Sequence, residues 1–180
     1  MGEVSKRSHV ILIHEIVKYH ISRLIPESNH FLSDNYDSSS QDTHSSINES
    51  LEEHGYHLGS KIVSRLTLTM GPIHDPNKCM VFICRQLWTY LFGKQAKRLQ
   101  SNSQGVYVVF SEDLYWMDNL EFNYSNHNKP TEKPSIQSYK QYYLSFISGV
   151  LKGSLKSLGF PCSVFGEDEK IYKFTIRLTA

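Results

Sequence analysis

Nine histidines and three cysteines are the residues of this 180-residue chain whose types could do chemistry. Imidazole and thiolate are common zinc ligands, and a zinc site needs about four ligands in a consistent geometry. His54 and His57 lie three apart, and His9 and His14 share an earlier helical pattern. No Cys-x-x-Cys, His-Glu-x-x-His or clustered carboxylate pair accompanies them, so they are expected at the surface or hydrogen-bonded in the core. Cys79 and Cys84 fall in an apolar stretch and read as core thiols rather than nucleophiles. A thiol or metal enzyme using Cys84, Cys162 and histidines would need stoichiometric zinc or a thiol of unusually low pKa. There is no Gly-rich phosphate loop and no Gly-x-Ser-x-Gly elbow. The expected catalytic, cofactor-binding and metal sites are therefore none.

Composition narrows the class further. A net charge of +1 gives no argument for nucleic acid or an anionic membrane surface. The aromatic content of 12% includes 11 tyrosines, which suits partner-facing surface. An odd cysteine count without close pairs fits a reducing compartment. Nothing resembles a signal peptide or a run long enough to span a bilayer. Lys6 stands where a myristoylation signal needs Ser or Thr. A cytosolic chain of one domain, 1–180, is expected, with any membrane contact indirect.

The elements that must position these residues start from the stretch Asp75–Phe110. Asp75 followed by Pro76 is a helix start. Apolar residues recur at Met80, Ile83, Leu87, Trp88, Leu91 and Leu99, predicting a long buried helix. Lys94, Lys97 and Arg98 would suit its C-terminal dipole, Asn102 and Gly105 would stop it, and Val106–Val109 reads as a strand.

Before it, residues 1–7 are expected to fray, and Ser8–Ile25 reads as a helix ended by Pro26. Val10, Ile13, Ile16, Val17, Ile21 and Leu24 form its broad apolar face, while Ile11, Leu12, Tyr19 and Ile25 spill round both flanks. Two explanations stand: a central core helix, or a helix with its own core on one side and another chain on the other. Residues 27–46 are Ser/Asp/Asn-rich and predict a mobile loop insertion. Ser46 with Glu49, and Ser50 with Glu53, match capping boxes for a second helix ending near Leu66. Its Gly55 and Gly59 each cost about 1 kcal/mol relative to alanine, which suggests close approach of another helix backbone.

After the strand, residues 111–138 are irregular. Leu114–Phe122 predicts a second strand, and Ser125–Ser135 a turn-rich loop. A further helix runs from about Tyr139 to Leu158, with Gly149 and Gly153 four apart, and Gly159 with Pro161 stops it. The end is a hairpin: a strand Cys162–Phe165, a turn at 166–169 and an alternating strand over 170–178. The order is ααα-β-(β)-α-ββ, an α+β fold with helices on one face of an antiparallel sheet.

Three segments, LEEHGYHLGSKIVSRL (51–66), ICRQLWTYLFGKQAKRLQSNSQGVYVV (83–109) and SFISGVLKGSLKSLGFPCSV (145–164), together resemble one family. It is the small subunits of the transport protein particle, TRAPP, of the Bet-three-like superfamily. Leu87-Trp88, Phe92 before Lys94-Gln95, and Asn102-x-x-Gly105-Val106-Tyr107 resemble the subunit-six branch, called Trs-thirty-three in yeast. The resemblance implies an α/β-plait fold and a non-enzymatic subunit that pairs with a subunit-three homologue through its first two helices. It implies a tethering and guanine-nucleotide exchange assembly for a Rab GTPase of the Ypt-one class. That assembly serves ER–Golgi vesicle transport and sits peripherally on Golgi and endoplasmic reticulum membranes.

The residues expected at such a partner interface are Val10, Ile13, Val17, Ile21 and Leu24 on the first helix. On the second they are Leu51, Gly55, Leu58, Gly59 and Ile62. Subunit three carries an acylated cysteine just after its second helix. Thr67–Asp75 has none and Cys79 falls too late to match, so no acyl chain is expected here. The alternative is a small-molecule-binding sensor domain of the same fold, of the vinyl-four-reductase type.

Overall fold

The computed structural model describes residues 3–24, 36–102, 104–117 and 136–179. Helix α1 spans Glu3–Leu24, so the first residues, expected to fray, are helical from Glu3. Helix α2 spans Tyr36–Leu66 and absorbs residues 36–46, which were expected to be loop. Ser46 and Ser50 are consequently not caps. The Ser46 hydroxyl donates to the Asp42 carbonyl one turn back (3.0 Å), and Ser50 bonds His20 Nδ1 (2.9 Å). Tertiary contact carries the helix through this polar sequence: Ile47 is fully buried, and His44 stacks on Tyr142 and hydrogen-bonds its hydroxyl. Residues 27–35 of the expected insertion, and Pro26, lie outside the described residues.

Asp75 caps α3 (Pro76–Phe82) as expected, accepting from the Asn77 N–H at 2.9 Å. A π-helical turn, Ile83–Leu87, and α4, Trp88–Phe92, continue it. The extra residue of the π turn keeps Ile83, Leu87, Trp88 and Leu91 all inward. The helix ends at Gly93 in the left-handed conformation (φ 72°), well short of the expected Leu99. The chain folds back, with the Ala96 N–H bonded to the Cys84 carbonyl (2.9 Å), and enters strand β1, Arg98–Ser101. Lys94, Lys97 and Arg98 therefore do not serve a helix terminus. Lys94 pairs with Asp113, Lys97 with Glu112, and the Arg98 guanidinium lies 4.3 Å from the Phe110 ring centroid.

Asn102 Oδ1 accepts from the Gln104 and Val106 N–H groups (3.0 Å each), turning the chain into β2, Val106–Ser111. Part of the strand expected at 114–122 is instead a 3₁₀ turn, Tyr115–Met117, whose Trp116 and Met117 plug the core with Leu114. Residues 118–135 lie outside the described residues. Helix α5 spans Ile136–Ser157, and Gly159 follows at φ 90°. The closing hairpin pairs β3, Cys162–Asp168, with β4, Tyr172–Leu178. Its turn lies later than expected because Gly166 and Glu167 still pair across to Phe174 and Lys173, the last pair an ion pair at 2.6 Å.

The sheet is antiparallel throughout, in the order β1-β2-β4-β3. One face carries Tyr107, Val109, Phe174 and Ile176 into the core. Trp88 meets it edge-on, its ring 5.7 Å from Phe174. This is the α+β architecture that the order of the elements implied.

Candidate partner interface

The two glycine pairs meet each other. A Cβ on Gly55 or Gly59 would collide with the carbonyls of Phe146 and Val150 on α5. One on Gly149 or Gly153 would collide with those of Glu52 and Tyr56 on α2. The backbone approach inferred from the spacing is thus made within the chain, by α2 and α5. Lys152–Glu52 (2.8 Å), Ser145–Asn48 (2.9 Å) and Ser60–Ser157 (2.7 Å) tie the borders of this seam.

Helix α1 lies on the N-terminal half of that pair. Ile13, Val17 and Ile21 are buried, and Val10, Ile16 and Leu24 are partly buried against the same core. Two histidines supply the polar contacts. His14 Nδ1 bonds the Tyr143 hydroxyl (2.5 Å), and His20 bonds Ser50 while its ring meets that of His54 edge-on at 5.3 Å. Burial holds the His14 imidazole below its ordinary value of 6.5 despite the pull of Glu15. Burial does the same at His20, reinforced by His54 and Arg23. The Nε2 atoms of both rings are buried without a hydrogen bond. These rings are built to be neutral.

The outward side of α1 carries apolar side chains among its charged ones. Leu12, Ile16 and Tyr19 fall at i, i+4 and i+7, on one face of the helix. Leu12 is 55% exposed and Tyr19 59%, and Ile11, at 63%, adds a third exposed apolar side chain beside Leu12. Of the eight large apolar side chains exposed among the described residues, these three share one helix.

The residues expected at an interface therefore divide. Ile13, Val17, Ile21 and Leu51 are covered by the chain itself, and Gly55 and Gly59 face α5. Val10, Leu24, Leu58 and Ile62 remain partly exposed at the edges of the helices. Leu12, Ile16 and Tyr19 were absent from that expectation. The signal of Leu12 and Tyr19 was in the sequence, as apolar residues on the flanks of the main face, whereas Ile16 was read as part of that face.

No constellation for chemistry accompanies this surface. Among the described residues, no group of three or more His, Cys, Asp or Glu could hold a metal ion. Burial pushes the Cys79 and Cys84 thiols up to about 12 and Cys162 up to about 11, the opposite of a nucleophile. No described helix is long and apolar enough to cross a membrane.

Residues 10–178 match the model of the Transport protein particle (TRAPP) component family. An uncharacterized Schizosaccharomyces pombe protein is 30% identical over 130 residues, 72% of this chain, and the match spans 48% of that protein's length. Trafficking protein particle complex subunit 6B of Homo sapiens is 30% identical over 65% of this chain and 68% of its own, and subunit 6A of Mus musculus 29% over 61% and 63%. Among solved structures, a Naegleria fowleri trafficking protein particle complex subunit 3, described as covalently bound to palmitic acid, superposes with a TM-score of 0.61. It is 16% identical over 97% of both chains, a likeness of fold alone. By the family match across nearly its whole length, the chain belongs to the TRAPP component family.

Proposed function

We propose that this protein is a non-catalytic structural subunit of a trafficking protein particle complex, and that it pairs with a subunit-three homologue through α1. The observation that carries the reading is the pair Leu12 and Tyr19, exposed apolar side chains on one face of α1, with Ile16 between them packed partly on the core. Val10 and Leu24 on α1, and Leu58 and Ile62 on α2, partly buried against the core, are the remaining candidates for contact with the partner. Ile13, Val17, Ile21 and Leu51 then hold the helices in place rather than touch the partner. Named relatives are subunits 6A and 6B of the complex, which supports the assembly. The assembled particle would tether vesicles and exchange guanine nucleotide on a Rab GTPase of the Ypt-one class, at the cytoplasmic face of Golgi and endoplasmic reticulum membranes. Exchange belongs to the assembly, so the isolated chain is expected to show none.

Co-expression with a subunit-three homologue, followed by light scattering, tests the pairing. A one-to-one complex is expected. Leu12→Asp with Tyr19→Asp should abolish it while the circular dichroism spectrum is retained. A complex that survives both changes would refute α1 as the interface, and a monomer that ignores the partner would refute the pairing itself.

A further inference from the structure

A second apolar surface lies away from α1, where the α2–α3 connection runs beside α3. Here a groove of about 450 Å³ is lined by Met70, Pro72, Ile73, Val81 and Phe82. Phe82 is buried, whereas Val81 is 43% exposed, Met70 39%, and Leu68 in the same connection 80%. The walls are held in place. The Thr67 N–H bonds the Val63 carbonyl (2.9 Å), the Met70 N–H bonds the Thr67 carbonyl (3.0 Å), and Asp75 and Pro76 fix the start of α3.

Charge says what kind of occupant fits. Lys78 and Arg85 also line the groove, at i and i+7 along the helix with Val81 between them at i+3. Neither has an acidic partner among the described residues, whereas Lys94 and Lys97 further along are each neutralised by a carboxylate. The other ionisable groups lining the groove are His74 and Asp75, and the Asp75 carboxylate is engaged in capping α3. We propose that this groove docks an amphipathic acidic segment of another protein, with an apolar side chain seated on Ile73, Val81 and Phe82 and carboxylates meeting Lys78 and Arg85. Helices laid in apolar grooves are recognised through such anchors. Anionic lipid is disfavoured because membrane-binding basic clusters carry about 4–8 cations, and two flank this groove. The site is separate from Leu12 and Tyr19 of α1 and does not depend on the pairing proposed above.

Panning a random dodecapeptide display library on the full chain tests this. In parallel, the library is panned on Lys78→Glu with Arg85→Glu, and on Val81→Asp. The enriched peptides are expected to combine acidic and large apolar residues on the wild-type chain alone. A synthetic version, measured by fluorescence anisotropy, should lose about tenfold or more in affinity to either variant. Its lysine-for-acid counterpart should bind the charge-reversed groove better than the wild-type one. If Val81→Asp does not fold by circular dichroism, the exposed charge pair carries the test. Failure to enrich acidic-apolar peptides, or affinity unchanged by charge reversal, overturns the proposal. So does sedimentation with phosphatidylcholine–phosphatidylserine vesicles that needs Lys78 and Arg85 when no peptide does.

Discussion

Helix α2 meets α5 backbone to backbone, whereas α1 meets them through side chains. The first contact is set by four glycines, each reserving space for a carbonyl of the opposite helix. It admits one partner and one register. The second is set by aliphatic side chains and two neutral histidines, and it leaves Ile11, Leu12 and Tyr19 of α1 exposed. The difference separates two tasks. Seams without side chains between them specify the fold, and the softer seat of α1 leaves apolar side chains free for the partner proposed above.

The sharpest way to break the contrast is Gly149→Ala. Its methyl would overlap the Glu52 carbonyl, so the helices must part. We expect a loss of about 3 kcal/mol by urea denaturation, even though alanine regains about 1 kcal/mol of helix propensity. A neutral or stabilised variant would show that the seam is not tight. Ile13→Ala in the α1 seat should cost about 2 kcal/mol. Its effect should be local, with amide exchange speeding up along α1 before α5; uniform acceleration would make the two contacts one cooperative unit.

Acid offers a gentler separation. His14 and His20 are held below 6.5 in the fold, so above that pH they add nothing to the pH dependence. As pH falls through 6.5 the unfolded chain takes up protons first, and stability declines. The thermal midpoint should drop between about pH 7 and 5, and His14→Phe with His20→Phe should flatten that slope. A slope unchanged in the double variant would remove the histidines from the account. The smallest effect is expected at Lys152–Glu52. This half-exposed pair borders the glycine seam, and Lys152→Met should change stability by less than about 1 kcal/mol.

Signals that act within a few residues were legible in the sequence. Asp75-Pro76 fixed a helix start and Gly159 a helix stop, because caps depend on immediate neighbours. Both glycine pairs were visible as spacing, but nothing local said that they face each other. The end of the central helix was missed because Leu99 continues a helical period and Gly93 gives no sign by itself of adopting a positive φ. The start of α2 was missed for the opposite reason. Its polar residues lack helix propensity, and burial of Ile47 together with the His44–Tyr142 contact overrides that. The proposed partner surface was half legible: surplus apolar residues on α1 were evident, but which face its own core would cover depended on α5.

The glycine seam also has a kinetic consequence. Glu52 and Lys152, which face each other across it, are 100 residues apart in the chain. Closing a loop of that length costs about 4 kcal/mol of chain entropy before any contact forms. Local hairpins such as β3–β4 can close earlier. During synthesis, α1 and α2 leave the ribosome well before α5 exists. For that interval the glycine face of α2 and the part of α1 that packs on α5 have no intrachain cover, a period in which a chaperone or the proposed partner would have first access.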